Sequence, residues 1–311
     1  MSSLRLAISS LLFVGLLCGS NSSAFATLTP LGGAANYGIL FEGTGGRTLS
    51  ITDVTLDGVI YGTNNAITGN NIAVGGTGMV QFSGPGTIDG RLDFSAANKG
   101  QYQNTNRKNV GPTSVNYNVS AVTTALTTVN SLSSSLAGLG NNLTLTGNET
   151  VKESSGQLKT INGVTYRIFN VTGIASTMGN GSMLTIVGDG SGDPVVFDFG
   201  LKSNVTLMGD VTLTGLVPDQ VLYNFTTSGY NITLNTDASK YSSKSWAGTI
   251  LAPNDGVILD NANLQDGRVF GGGGGCGMEI IDGSHVTVPA PAALLLFGPG
   301  LVGLAAIRRR L

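Results

Sequence analysis

Residues 204–215, NVTLMGDVTLTG, alternate apolar and polar side chains almost one by one. A period of two puts Val205, Leu207, Val211 and Leu213 on one face of an extended chain, which a helix of 3.6 residues per turn cannot do. The same alternation or a short apolar run returns at residues 142–145, 183–187, 221–225, 231–234 and 257–259, with Gly, Asn, Asp or Pro nearby. A chain interrupted this often has to stack many short strands. Glycine supplies the interruptions: it is 47 of 311 residues, about twice the usual share of about 7%, and it shows no collagen period.

Asp-Gly pairs recur in a strand, corner, strand arrangement at residues 54–62, 86–94 and 262–271. Such a corner is either a hairpin turn, because Gly accepts positive φ and Asp satisfies nearby N–H groups, or the bend between consecutive strands of a β-solenoid coil. Recurring Asn, Thr and Gly favour the solenoid. One segment departs from the pattern. Val122, Leu126, Val129, Leu132, Leu136 and Leu139 are spaced by 3 or 4, which predicts a single amphipathic helix over residues 118–139. Asn118 or Ser120 is its expected N-cap, and Gly138 or Gly140 its stop. Its apolar stripe should pack along the side of the β-structure.

The ends have a different composition. Arg5, the apolar run 11–17 and the small residues Ala24 and Ala26 form the charged, apolar and cleavable parts of a secretory signal peptide over residues 1–26. A lipoprotein site at Cys18 is disfavoured by the bulky Leu17 before it. At the other end, residues 292–307 are uncharged and Arg308, Arg309 and Arg310 follow. Sixteen residues make about 24 Å of helix against a hydrocarbon core of about 30 Å, a short span. The three arginines would stay cytoplasmic and halt export. A permanent anchor is the alternative to a temporary one, and the Gly and Pro residues make a marginal permanent span.

The body, residues 27–287, is long enough for one large domain or two small ones, and no Pro-rich or charged linker divides it. Without Arg5 and Arg308–Arg310 it carries 12 basic against 18 acidic side chains. That sparse, acidic balance speaks against nucleic acid, which demands clustered Lys and Arg. Cys18 leaves with the signal peptide, so Cys276, in the loop GGGGGCG, has no partner within the chain and reads as an incidental loop thiol rather than a crosslink.

Three stretches of the body carry a resemblance: residues 31–40 (LGGAANYGIL), 218–225 (PDQVLYNF) and 246–254 (WAGTILAPN). With the intervening helix they resemble the bacterial choice-of-anchor A family, whose members are secreted, have no established activity, and end in alternative surface-sorting signals. The order of blocks is also similar to the ice-binding adhesin-like family, which implies a mainly β fold, a right-handed parallel β-helix flanked by one long helix. Ice binding itself would need a regular array of threonines, whereas the sequence offers scattered pairs such as Thr144 with Thr146 and Thr212 with Thr214. The C-terminus resembles the PEP-CTERM sorting signal of Gram-negative bacteria. Val288, Pro289 and Pro291 match its motif and Ala290 replaces the usual Glu. The resemblance implies an exosortase-type membrane transpeptidase as partner, and an exopolysaccharide or matrix component as a further one. It also implies transient anchoring in the inner membrane before delivery to the cell surface or extracellular matrix.

An enzyme is the competing class, since several β-helices act on polysaccharides. Glycoside hydrolysis needs two carboxylates about 5–10 Å apart across a cleft. Asp57, Asp89, Asp93 and Asp266 are the candidates, and three of these stand before Gly, where turn chemistry explains them. His285 is the only histidine, which removes multi-histidine metal sites and histidine triads. The stretch 188–194, GDGSGDP, lacks the ligand spacing of known calcium loops, and the glycine run 271–277 lacks the Lys-Ser/Thr ending of a phosphate loop. The expectation is a non-enzymatic structural or adhesive surface protein without metal or cofactor. A carbohydrate-active enzyme or an ice-binding protein is the alternative.

Overall fold

The computed structural model describes residues 31–288, except 53–54, 57–58, 61–64, 69, 175–181 and 237–244. The expected signal peptide, including Ala24 and Ala26, and the tail with Pro289, Ala290, Pro291 and Arg308–Arg310 lie outside the described residues. Among the described residues no helix is long and apolar enough to cross a membrane.

The chain winds repeatedly through three sides in the same order. Val195–Phe199, Val205–Met208 and Asp210–Thr214 each lie on a different side. The next winding places Val221–Phe225 on the first strand, Asn231–Asn235 on the second, and the start of Trp246–Ala252 beside the third. Trp246–Ala252 and Asn263–Gly271 then turn without a break from the third side onto the first, at Gly248 (φ 114°) and Asp266 (φ 47°). Both positions need the left-handed backbone that Gly, and less readily Asp, adopts. Pairing between windings is parallel throughout. The antiparallel exceptions are the hairpin of Gln157–Ile161 with Val164–Ile174 and the short pair Thr55–Leu56 with Val59–Ile60.

The first side is a ten-strand run, from Val115–Asn116 at one end to Asn141–Leu145 at the other. Its order is not the chain order. The first strand, Ile39–Phe41, lies in the middle, and the chain winds outward from it to Val115–Asn116. Helix α1, Ser120–Leu136, then carries the chain back to the far end, from which it winds inward until Asn263–Gly271 pairs with Ile39–Phe41. Val119 N–H donates to Phe94 O at the start of α1, and Gly138 N–H donates to Asp198 Oδ2 just past its end. Between those strands lie six strand spacings, about 29 Å at about 4.8 Å each. The 17 residues of α1 cover about 26 Å at about 1.5 Å per residue. The helix is therefore as long as the return requires.

Inward side chains of all three sides share one core, with Ile39 and Phe41 from the first, Leu49 and Ile51 from the second, and Ile88, Ile186 and Leu264 from the third. Aromatic rings stack within it from winding to winding: Phe169 on Phe197 (5.4 Å), Phe197 on Tyr223 (5.7 Å) and Phe199 on Phe225 (4.5 Å). A second core lies under α1, where Val122, Leu126, Val129, Leu132 and Leu136 cover Leu40, Ile168, Val196, Leu222, Leu251 and Phe270 of the first side. We call this first side the helix-side sheet.

Three expectations need correction. The helix runs over Ser120–Leu136 rather than 118–139, with Leu139 half-buried beyond it. Its cap position is Val119, without a side-chain cap, because hydrogen bonding to Phe94 O keeps the chain extended up to that residue. Residues 204–215 form two strands on different sides, divided by Gly209 (φ 89°), although Val205, Leu207, Val211 and Leu213 all face the one core. The two described Asp-Gly corners share one geometry. Asp266–Gly267 is a bend within a winding, and Asp89–Gly90 stands at the equivalent bend between Gly86–Ile88 and Leu92–Phe94. Asp57–Gly58 lies outside the described residues.

Candidate binding face

The second side is a seven-strand parallel sheet: Tyr102–Asn104, Met79–Phe82, Thr48–Thr52, Met278–Ile281, Gly256–Asp260, Asn231–Asn235 and Val205–Met208. Leu49, Ile51, Val80, Phe82, Ile232, Leu234, Val257 and Leu259 point into the core. The residues between them point out, and α1 packs on the other sheet, so this open sheet keeps an uncovered outer surface. The register aligns Gln103, Gln81, Ser50, Glu279, Ile258, Thr233 and Thr206 in one row across all seven strands. Neighbours in the row stand about 4.8 Å apart, the spacing of paired strands. All are exposed or half-buried.

A parallel row joins Met208, Asn235, Asp260, Ile281 and Thr52. Its polar members are tied to neighbours: Asn235 Nδ2 donates to Asp260 Oδ2 (3.3 Å), and Thr52 Oγ1 shares hydrogen bonds with Ser50 Oγ (3.0 Å) and Ser83 Oγ (2.8 Å). Asn231 N–H donates to Asn204 Oδ1 (3.0 Å) at the sheet's end. The result is a surface of fixed hydrogen-bonding groups with two half-buried isoleucines, Ile258 and Ile281, and little charge. That chemistry suits extended, uncharged, hydroxyl-rich ligands. The row is hidden in the sequence because its members come from segments 21 to 31 residues apart, such as Thr206, Thr233, Ile258 and Glu279, and because it jumps from Glu279 to Ser50 where the last winding meets the first.

Threonines are aligned better than the sequence suggested. Thr206 stands beside Thr233, and Thr150, Thr185 and Thr212 form a row on the third side. The first alignment stops after two of seven strands, whereas the second crosses all three strands of its own small sheet, Glu149–Lys152, Met183–Val187 and Asp210–Thr214. Thr144 lies opposite Gly173 on an edge strand.

Among the described residues the candidate carboxylates Asp89, Asp93 and Asp266 do not converge on a groove. Asp93 is buried and accepts from Tyr37 Oη (3.1 Å), Arg91 Nε (2.7 Å) and Asn116 Nδ2 (2.8 Å), which lock the outermost winding to the N-terminal segment. Burial, then the charge of Asp93, pushes the Tyr37 hydroxyl above its ordinary pKa. Asp89 accepts from Asn70 N–H at a bend, and Asp266 is exposed at the corresponding bend three strand spacings away. Asp57 lies outside the described residues. In the loop 188–194, Asp189 accepts from Ser191 N–H (2.9 Å), and this hydrogen bond, with a smaller contribution from Arg167, holds its carboxyl below the usual range. Buried Glu153 accepts from Asp189 N–H and the Ser191 hydroxyl. The loop's carboxylates are thus used by its own backbone and Arg167. Among the described residues no group of His, Cys, Asp and Glu is arranged to hold a metal.

His285 is half-buried on the third side, and burial lowers its pKa. Cys276 is half-buried at a corner with Sγ 3.9 Å from Tyr230 O. Val288, first residue of the expected sorting motif, is half-buried at the exit of the last strand.

A family model described as "Putative Ice-binding-like adhesive domain" matches residues 24–276. The chain belongs to that family. Solved structures of similar outline include the ice-binding protein of the Antarctic ascomycete Antarctomyces psychrotrophicus, with 16% identity, 85% of this chain and 100% of that one covered, and a TM-score of 0.49. The ice-binding protein LeIBP of an Arctic yeast is 16% identical over 86% of this chain and 97% of that one, with a TM-score of 0.47. An ice-binding protein domain of Shewanella frigidimarina is 13% identical over 86% of this chain and 99% of that one, with a TM-score of 0.46. No curated protein matches the chain.

Proposed function

We propose that this member of the ice-binding-like adhesive family is an exported, non-enzymatic adhesive protein that contacts polysaccharide or another matrix component through the open sheet. The observation that carries this is the seven-residue row from Gln103 to Thr206, uncovered and in register across every strand of that sheet. Repeated hydrogen-bonding groups along a regular surface fit a repeating ligand, and the carboxylates are occupied in bends and buried ties. The windings, in this proposal, form a right-handed β-helix.

Export runs through residues 1–26, and residues 288–311 act as a sorting signal of PEP-CTERM type in a choice-of-anchor A protein. Pro289 and Pro291 with Val288 are the motif, residues 292–307 a temporary membrane segment, and an exosortase-type transpeptidase the partner. The variant Ala290 distinguishes the processing enzyme from those that require Glu. A glycan and matrix-protein array tests the adhesive function: binding to at least one polysaccharide or matrix protein is expected, and silence across the array, with unchanged cell aggregation in a deletion strain, contradicts it.

Ice binding is the second reading, favoured by the family match. Glu279, Ile258 and the two glutamines interrupt the row where a threonine array would continue. Thermal hysteresis measured on the purified body decides between the two: freezing-point depression supports ice binding, and none is expected for the adhesive reading.

A further inference from the structure

The chain leaves the body at a defined corner. Strand His285–Thr287 lies on the third side, paired with Asn263–Leu264 and with residues 66–68. In both of those windings the chain passes directly from there to the helix-side sheet, at Asp266–Gly267 and before Ile72. Thr287 Oγ1 accepts from Asp266 N–H (2.9 Å), so residue 288 begins at that bend. The N-terminal segment crosses the same corner: Arg268 Nε donates to Ala35 O (3.4 Å) and Asn71 Nδ2 to Asn36 O (2.9 Å). The open sheet is the wall of the common core opposite this corner, since the corner joins the other two sides.

Only residues 288–291 separate Thr287 from the uncharged run 292–307. Four residues reach at most about 14 Å fully extended, and Pro289 and Pro291 stiffen two of them by fixing φ. A spacer this short does not let a body of this size turn over on its tether.

We infer that, while residues 292–307 are in a bilayer, the body rests with this corner against the lipid head groups and the open sheet points away from the membrane. The inference rests on the membrane segment proposed above. The corner is suited to a head-group layer: Asn36, Gln265 and Asp266 are exposed there, with Asp89 exposed two strand spacings away beside Arg91, which is paired with Asp93, a polar set of small net negative charge. One side of a winding, about five residues at about 3.3 Å each, is about 17 Å long, so the open sheet stands on the order of 15 Å farther from the bilayer than the corner. The body thereby presents its contact surface outward for as long as the tail is retained.

The test uses the full-length chain with Cys18→Ser, Cys276→Ser and one new cysteine, Gln265→Cys at the corner or Gln81→Cys or Thr206→Cys on the open sheet. Each is labelled with a fluorophore and reconstituted into phosphatidylcholine vesicles containing lipid spin-labelled at the head group, which quenches near contact. Quenching several-fold stronger at position 265 than at 81 and 206 is expected. Equal quenching at the three positions in vesicle-bound protein overturns the orientation while leaving the membrane segment in place. Failure of the chain to float with the vesicles overturns the membrane segment, and the orientation with it.

Discussion

Val221–Phe225 and Asn231–Asn235 follow one another in a single winding, yet the first is buried at all five positions and the second is buried at Ile232 and Leu234 alone. Both send alternate residues into the same core. The difference lies outside: α1 covers Leu222 and Asn224 of the helix-side strand, while Asn231, Thr233 and Asn235 of the open sheet meet solvent. A parallel sheet covered on both faces needs apolar residues in succession, and one covered on a single face needs alternation. The protein uses both, and the contrast separates residues that hold the fold from residues free to serve contact.

That contrast can be broken most sharply at the inner aromatic stack. Phe197→Ala removes a fully buried ring between Phe169 and Tyr223 and should cost about 3–5 kcal/mol in urea unfolding. Leu136→Ala, which empties a buried position under α1, should cost about 2–4 kcal/mol by the same measurement, and a cost near zero would remove the helix from the account of stability.

Asp198 sharpens the comparison from the polar side. It is buried between α1 and the helix-side sheet, accepts from Gly138 N–H and Asn224 Nδ2, and burial pushes its pKa up to about 6 despite those two hydrogen bonds. Because its folded pKa lies above the unfolded value of about 3.9, its effect on stability falls as pH rises from about 4 to about 6, by about 1–3 kcal/mol. Asp198→Asn should flatten the stability profile in that window, seen in urea midpoints at successive pH values; an unchanged profile would assign the slope elsewhere. The smallest change is expected at Thr233→Ala on the open sheet, within about 0.5 kcal/mol.

Much of the doubly covered region was legible in the sequence. The apolar run 221–225, read as a strand, is pressed between the common core and α1, and the 3-4 spacing of Val122 to Leu136 gave the helix and its buried stripe. A continuous apolar run marks a strand buried on both faces, and alternation, as at residues 205–214, marks one covered on a single face. Neither pattern reveals which windings neighbour one another. The placement of Ile39–Phe41 beside Asn263–Gly271 depends on the return through α1, and the outer row of the open sheet depends on that placement. Nor could the sequence show that Val119 stays extended, because its partner Phe94 O lies 25 residues away in another strand.

The central claim is that contact is made by the open sheet and not by the helix side. The direct measurement compares polysaccharide and matrix-protein array binding of two variants matched for thermal stability. One is Thr206→Arg/Thr233→Arg/Gln81→Arg on the open sheet; the other is Thr123→Arg/Thr124→Arg/Thr127→Arg on the exposed face of α1. The account predicts that the first loses the binding shown by the unaltered protein and the second retains it. Retained binding in the first, or loss confined to the second, would contradict it.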